Sequence, residues 1–160
     1  MKYAMVLLVV GLGCGGDDDG TPIQPTSGTW GYLEGDVVDD TCHYSARPDT
    51  GLGTFTLTNP GTGTFTITPP GETAFNCTLS GSSFTCPDRS NEDLPGAPYD
   101  ATVNLHVAAY GSFSSATAAS GHQRLEATCT GTQCAEVGAL VGVTFPCGLS
   151  VNYTASLITR

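Results

Sequence analysis

Short runs in which apolar and polar residues alternate, separated by glycine and proline, cover most of the chain. Segment 75–86 is the clearest run, and its apolar positions are Phe75, Cys77, Leu79, Phe84 and Cys86. A period of two is typical of a half-buried strand, and Gly81-Ser82 at the centre suits a type II′ turn. The register counted from this turn sets Cys77 opposite Cys86 at a non-hydrogen-bonded pair, where Cα atoms lie about 4.5 Å apart. We therefore expect a hairpin closed by a Cys77–Cys86 disulfide.

Further strands are expected wherever the same alternation recurs. Two near-repeats, 53–58 and 63–68, alternate Thr with Phe, Leu or Ile and are separated by an Asn-Pro-Gly-Thr turn. The other strand candidates are 29–38, 102–110, 123–129 and 149–159. A Ser/Ala-rich stretch at 111–120 is expected to carry the chain across an edge or corner, and 135–140 to form one helical turn. The prediction is an all-β fold, a single antiparallel meander of about eight strands that forms a small barrel or, alternatively, a β-sandwich.

A long loop is expected at 87–100, because this segment carries three prolines and breaks the alternation. Loops of this length are uncommon in compact domains and are often functional. We therefore take its polar side chains as a candidate binding rim, formed by Asp88, Glu92, Asp93, Tyr99 and Asp100. Carboxylates are also calcium ligands, but the segment has no glycine at the sharp-turn position of an EF-hand loop. A solvated acidic loop is the plainer interpretation.

The first 13 residues predict an export signal. Lys2 precedes an apolar run of about nine residues, far shorter than the roughly 20 that span a bilayer. Residues 14–28 contain three consecutive aspartates and several glycines, a composition typical of a disordered acidic tether. The β domain is therefore expected at 29–160.

The residues Gly11-Leu12-Gly13-Cys14 resemble the lipobox of bacterial lipoproteins, although that pattern usually has Leu where Gly11 stands. The resemblance implies that Cys14 is lipidated and becomes the mature N-terminus. Several acyl chains on one cysteine make membrane anchoring stable. The arrangement of lipobox, acidic tether and six-cysteine β domain also resembles envelope lipoproteins of Gram-negative bacteria, myxobacteria especially. It implies an exported protein attached to the cell envelope, at the outer membrane; an ordinary secreted protein with a stray Cys14 is the alternative.

Six cysteines remain when Cys14 is set aside, an even number that predicts three disulfides in an exported chain. Besides Cys77–Cys86, a Cys129–Cys134 bond is expected because these residues flank a four-residue loop. Cys42–Cys147 then remains, and in the chain-entropy model this long closure contributes about 4–5 kcal/mol. A metal site built from Cys129, Cys134 and Cys42-His43 fits neither the spacing of a zinc knuckle nor an oxidising compartment. No metal or cofactor is expected.

The chain is strongly acidic, with a formal net charge of −10 although only 12% of its residues are charged. Removal of the leader together with Lys2 would leave four arginines against fifteen acidic residues, and no lysine. Such a surface repels phosphate groups, so nucleic acid is not expected as a partner.

The tripeptide Gly28-Thr29-Trp30 resembles the G-x-W that opens the first strand of lipocalins and avidins. This resemblance implies a barrel in which the Trp closes one end beneath an arginine from a late strand, either Arg124 or Arg160. It also implies a carrier of a small apolar ligand. A Trp that anchors some other β core is the alternative interpretation.

No catalytic residue is assigned. Asp49-Thr50-Gly51 matches the triplet of aspartic proteases, but it stands alone and lacks the apolar run of a catalytic strand. No G-x-S-x-G motif occurs. An envelope hydrolase is the less favoured alternative, and it would require His43, His106 or His122 to meet a carboxylate and a hydroxyl in a cleft.

The sequence therefore favours a non-catalytic binding or surface-structural domain anchored to the envelope. Its expected partners are the membrane, through Cys14, and a small molecule, a glycan or an envelope protein. An internal pocket of several hundred Å3 would favour the lipocalin-like carrier.

Overall fold

The computed structural model describes residues 22–43, 51–59, 61, 63–95 and 98–160, with residues 91–95 described by their backbone alone. The predicted signal at 1–13, the lipidation site Cys14 and most of the predicted tether lie outside these residues. So do Asp49 and Thr50 of the Asp-Thr-Gly triplet.

Eight strands follow one another along the chain, with one short helix before the last. They are β1 (Gly28–Asp40), β2 (Leu52–Thr58), β3 (Thr64–Thr68), β4 (Phe75–Ser80), β5 (Ser83–Pro95), β6 (Thr102–Ser115), β7 (Ala118–Thr130), α1 (Cys134–Val141) and β8 (Cys147–Thr159). Each strand pairs with the next in antiparallel fashion, and β1 pairs with β8 to close a barrel. The all-β prediction is confirmed, and of its two forms the barrel is found.

The wall of this barrel is uneven in height. Strands β2, β3 and β4 have five to seven residues, whereas the other five strands have thirteen or fourteen. The start of β1 and the β2–β3, β4–β5 and β6–β7 turns share one end, which we call the closed end. At the opposite end, called the open end, the long strands rise above the short ones and leave a low side in the wall.

The predicted hairpin at the centre of the chain is confirmed in its register. Leu79 pairs with Phe84 and Ser80 with Ser83. Gly81 begins the turn at φ +62°, a backbone conformation that glycine adopts without steric cost. Cys77 and Cys86 form the expected disulfide, with their Cα atoms 4.2 Å apart.

The other two predicted disulfides are also present. Cys42–Cys147 links the residues that follow β1 to the first residue of β8. Cys129–Cys134 links the end of β7 to the first residue of α1. The long-range bond therefore closes the barrel covalently at the same two strands that close it by hydrogen bonds.

Two hydrophobic clusters fill the molecule. The larger one lies towards the closed end and consists of Trp30, Leu57, Phe65, Cys77, Leu79, Phe84, Cys86, Phe113, Ala119 and Ala155. The smaller one lies at the open end around Cys42, Ala127 and Cys147, and partly buried Val143 and Phe145 from the α1–β8 connection pack against it. Between the two clusters, on the low side of the wall, the barrel interior is incompletely filled.

The loop expected at 87–100 is wrong for most of its length. β5 continues through Pro95 and pairs with β6, so the connection that follows it is short. The pairing shifts between Cys86 and Arg89 and again between Asn91 and Leu94. Pro87 lies in the first of these irregularities, where an amide N–H is not required by the ladder. Prolines therefore mark irregular positions of a strand here rather than a loop.

Two smaller expectations are also corrected. The stretch 111–120 is not a corner but the end of β6 and the start of β7, joined by a tight turn with Ser115 opposite Ala118. Small side chains allow the ladder to continue, with Phe113 as the large inward residue. Residues 22–28, predicted as the C-terminal end of a disordered tether, belong to the barrel instead, since Gly28 opens β1 and Pro25 is buried.

Candidate binding cavity

An aromatic cluster fills the closed end of the barrel. Trp30 is fully buried, and its ring centroid lies 5.9 Å from that of Phe113 in an edge-on arrangement. Phe113 also lies 5.5 Å from Phe65 and 5.0 Å from Phe84. Such pairs contribute about 0.5–1.5 kcal/mol each beyond the area that they bury. The closed end is thus occupied by tightly packed side chains.

The segment 22–27 lies across this end and holds Trp30 in place. The indole N–H donates to the carbonyl oxygen of Thr26 at 2.9 Å, and the backbone N–H of Thr26 donates to Ala116 at 2.8 Å. The side-chain amide of Asn59, from the β2–β3 turn, donates to the carbonyl oxygen of Pro25. These hydrogen bonds connect residues 22–27 to the β2–β3 and β6–β7 turns at the closed end.

The arginine expected above Trp30 is not found there. Arg124 donates to Glu126 at 2.9 Å on the outer face, and its side chain is 65% exposed. Arg160, the last residue, is exposed as well. Within the described part of the chain no contact of either arginine with the indole is found, and the lipocalin-like and avidin-like interpretation of Gly28-Thr29-Trp30 stays a prediction.

A cavity of about 250 Å3 lies above the aromatic cluster and opens on the low side of the wall. Its wall is mainly aromatic and aliphatic. The lining side chains come from all eight strands and include Trp30, Phe55, Ile67, Phe75, Val107 and Ala109. This composition is typical of sites that bind small apolar molecules.

Two polar side chains reach into the apolar interior. Gln123 of β7 and Tyr153 of β8 both line the cavity and are half-buried. Burial raises the pKa of the Tyr153 phenol well above its usual value, because the interior disfavours the charged phenolate. The phenol therefore stays neutral, and among the described residues it makes no hydrogen bond. Both groups are available to orient a ligand.

The charged side chains that line the cavity lie at its mouth, which is formed by Glu72, Phe75 and Arg89. Arg89 extends from β5, and its guanidinium carbon lies 3.9 Å from the centroid of the Phe75 ring. Its Nη1 atom lies 3.4 Å from Oε2 of Glu72, which follows the β3–β4 turn. The arginine side chain is 26% exposed and the glutamate 51%. The cation is thus the more deeply placed member of the pair.

Two carboxylates act on the phenol of Tyr32, a residue of β1 that lines the cavity. The pKa of its phenol is raised, first by partial burial and then by the negative charges of Glu34 and Glu72. The carboxylates of Glu34 and Glu72 thus lie close enough to this phenol to add to the effect of burial.

Three residues of the predicted rim, Asp88, Tyr99 and Asp100, do not line this cavity. Asp88 lies on the outer face of β5, with Oδ2 3.2 Å from Nδ1 of His106. Asp100 accepts two hydrogen bonds from Thr132, one from the hydroxyl at 2.7 Å and one from the backbone at 3.2 Å. Tyr99 is half-buried next to it. Glu92 and Asp93 belong to β5, and their side chains lie outside the description. Ligand binding by these five residues stays a prediction.

The three histidines occupy separate places. His43 is exposed beside the Cys42 disulfide, whereas His106 pairs with Asp88 on the outer face. His122 lies against Tyr110 with ring centroids 5.2 Å apart, in an open groove of about 810 Å3 on the outer surface. Within the described residues no histidine joins both a carboxylate and a hydroxyl. The arrangement that the hydrolase alternative requires is thus missing from this part of the chain.

The mouth residues themselves were missed at the level of the sequence. Arg89 lies inside the segment expected to form a loop, and Glu72 follows Pro69-Pro70-Gly71, a sequence that indicates a turn and no binding residue. One signal was present, because Arg89 is the sole lysine or arginine between positions 48 and 123. Its inward orientation depends on the irregular pairing after Cys86, which alternation alone does not reveal.

Comparison with known proteins does not assign the chain to a family. No family model matches it, and neither a curated protein nor a solved structure does so. Within the described residues no group of three or more His, Cys, Asp or Glu side chains is arranged to hold a metal ion. No helix in the described part of the chain has the length and apolar character needed to cross a bilayer.

Proposed function

We propose that the barrel binds a small, largely apolar molecule in its interior cavity. The observation that carries this proposal is the 250 Å3 cavity, with its aromatic wall and its polar mouth. A cavity of about 150 Å3 holds benzene, so this volume corresponds in proportion to roughly ten non-hydrogen atoms. The ligand would contact Trp30 at the floor and leave its polar end near Arg89.

The apolar lining of the cavity supports the same proposal. Because the cavity opens on the low side of the wall, solvent has access to this lining. Removal of apolar surface from water contributes about 25 cal/mol per Å2. A molecule that fills the cavity would gain this free energy on binding.

The proposed setting is the cell envelope, with the barrel attached to the membrane through a lipid on Cys14. Support comes from the apolar leader and from the lipobox-like residues that end at Cys14. The three disulfides agree with an oxidising compartment.

The fluorescence of Trp30 offers a direct test, because it is the only tryptophan in the chain and it lines the cavity. The full chain carrying Cys14→Ser can be purified without detergent, which would itself compete for the cavity. Titration with 1-octanol, a neutral probe of nine non-hydrogen atoms, is expected to change the Trp30 emission saturably. A linear, unsaturated response would contradict binding.

A matched pair of variants shows whether the probe enters the barrel. Ala109→Phe fills the cavity from β6 and is expected to weaken 1-octanol binding at least tenfold. Ala108→Phe adds the same ring at the neighbouring position, which does not line the cavity, and should leave binding within twofold. Equal effects of the two substitutions would place the binding site elsewhere.

A further inference from the structure

The charged groups at the cavity differ in how firmly they are held. Arg89 and Glu72 are the two charged residues that line it among the described residues. Arg89 is three-quarters buried and lies against the face of Phe75, a contact that favours a cation. Glu72 is half exposed in a turn. The glutamate can therefore turn into water, whereas the arginine would lose its aromatic contact by leaving.

The bond between the two residues is also incomplete. A single N–O contact at 3.4 Å joins them, longer than the 2.7–2.9 Å typical of charge-assisted bonds. A guanidinium has five N–H donors in a planar fork that matches a carboxylate in bidentate fashion. Glu72 is the one acceptor that Arg89 reaches among the described residues. The donor capacity of Arg89 is thus mostly unused.

We propose that the ligand is an anionic amphiphile, whose carboxylate binds Arg89 at the mouth while its apolar part fills the cavity. This inference rests on the proposed function, since it names the class of ligand for the same cavity. In the ligand-free barrel Glu72 is the intramolecular substitute, and the ligand carboxylate displaces it. The exchange breaks one ion pair and forms another, and the displaced Glu72 carboxylate, already half exposed, turns into water.

Glu72 acts in this scheme as a competitor of the ligand. Its negative charge, together with that of Glu34, already acts on the Tyr32 phenol beside the cavity. The chain as a whole carries a net charge of −10, which also opposes an approaching anion. Neutralising Glu72 removes its repulsion of the ligand carboxylate and its ion pair with Arg89. Binding of the ligand should therefore become tighter.

The class of ligand can be tested with three probes of similar size, namely octanoate, 1-octanol and octylammonium. In the detergent-free Cys14→Ser chain, Arg89→Gln is expected to weaken octanoate binding by about tenfold or more and 1-octanol binding by less than twofold. Glu72→Gln is expected to strengthen octanoate binding several-fold. Arg124→Gln, which removes an outer arginine paired with Glu126, is the matched control and should change neither.

The outcomes separate this inference from the proposed function. If 1-octanol binds the cavity but octanoate binding is indifferent to Arg89→Gln, the carboxylate assignment is wrong and the cavity function stands. Tighter binding of octylammonium than of octanoate would equally overturn the assignment in favour of a cationic ligand. If none of the three probes binds the unsubstituted barrel, the proposed function itself fails. Retained 1-octanol binding by Arg89→Gln also shows that this variant is folded.

Discussion

At the scale of single residues, the interior of the barrel depends on positions that have no side chain. Gly111 and Gly121 lie opposite each other on β6 and β7. A Cβ atom at Gly121 would overlap the carbonyl oxygen of Tyr110 and would lie 2.8 Å from the Cα atom of Gly111. It would also lie 2.9 Å from the Tyr153 hydroxyl. These glycines allow a close approach of two strands beneath an aromatic ring that would otherwise be displaced.

We therefore expect Gly121→Ala to destabilise the protein by about 1–3 kcal/mol, the usual cost of overpacking a filled interior. Urea denaturation followed by circular dichroism measures the change. Gly35→Ala on β1 is the matched control, since its Cβ would lie 3.6 Å from the nearest atom, an ordinary contact. Its effect should stay within about 0.5 kcal/mol. Similar losses in both variants would show that the close approach at Gly121 is not the cause.

The residue scale also shows where pattern reading succeeds. Cys77 and Cys86 could be paired from the sequence because turn and alternation, both local, determine their register. Arg89 could not be placed, since its direction follows from the shift in pairing at Pro87 and Asp88. A binding residue next to a bulge is therefore hidden from any argument based on strict alternation.

At the scale of elements, the strands with strict alternation were predictable and the irregular one was not. The near-repeats became β2 and β3, and each has its Phe or Leu directed inward at the expected period. The prolines and acidic residues of β5 from Pro87 onwards predict a loop, and this part of the strand is where the prediction is wrong. A strand with few partners tolerates both, and β5 pairs with β4 at only three positions, Ser83–Thr85. Its second half is thus free of the constraint that makes proline rare in central strands.

Asp100, which lies just before β6, is held by hydrogen bonds to the β7–α1 connection. Asp100 accepts from Thr132, and its own backbone N–H donates to the side chain of Gln133 at 2.8 Å. The hydrogen bonds from Thr132 lower the pKa of the Asp100 carboxyl below 3.8. A group whose pKa is lower in the folded state stabilises the fold above its unfolded pKa and loses that effect as the pH falls. Asp100 should therefore contribute at neutral pH and progressively less below about pH 5.

Asp100→Asn tests this link between the β5–β6 and β7–α1 connections. Its urea midpoint should be lower than that of the unsubstituted protein at pH 7, and the difference should shrink between about pH 5 and pH 2. Thr132→Val removes the hydroxyl donor. In this background the difference between Asp and Asn at position 100 should depend less on pH. A difference that is constant with pH would mean that the charge of Asp100 is not involved.

At the scale of the whole molecule, the closure of the sheet was the part that local patterns could not decide. Alternating strands fit a sandwich as well as a barrel, because each strand has one inward face in either form. The pairing of β1 with β8 decides between them, and it joins residues more than a hundred positions apart. The Cys42–Cys147 bond was the one distant link that the sequence supplied, and it lies at this seam.

The two ends of the barrel would lie at different distances from the membrane to which its attachment is proposed. Segment 22–27 leads into the barrel at the closed end, beside Trp30, whereas Glu72 and Arg89 lie on the low side towards the open end. A lipid on Cys14 would therefore hold the closed end nearer the bilayer. Seven residues lie between Cys14 and Pro22, and the eight steps along an extended chain span at most about 28 Å. The mouth would then face away from the membrane to which the protein is attached.

Fractionation of the source cells tests this attachment. Cys14→Ser should move the protein from the membrane fraction to the soluble fraction, because it removes the thiol that would carry the acyl chains. Gly15→Ser, which keeps the cysteine and changes the next residue, should leave the protein with the membrane. Labelled fatty acid should be incorporated into the unsubstituted chain and not into Cys14→Ser. A Cys14→Ser protein that stays with the membrane and is extracted only by detergent would show that something other than this cysteine anchors the barrel. A lipid on Cys14 would then not be what turns the mouth away from the membrane.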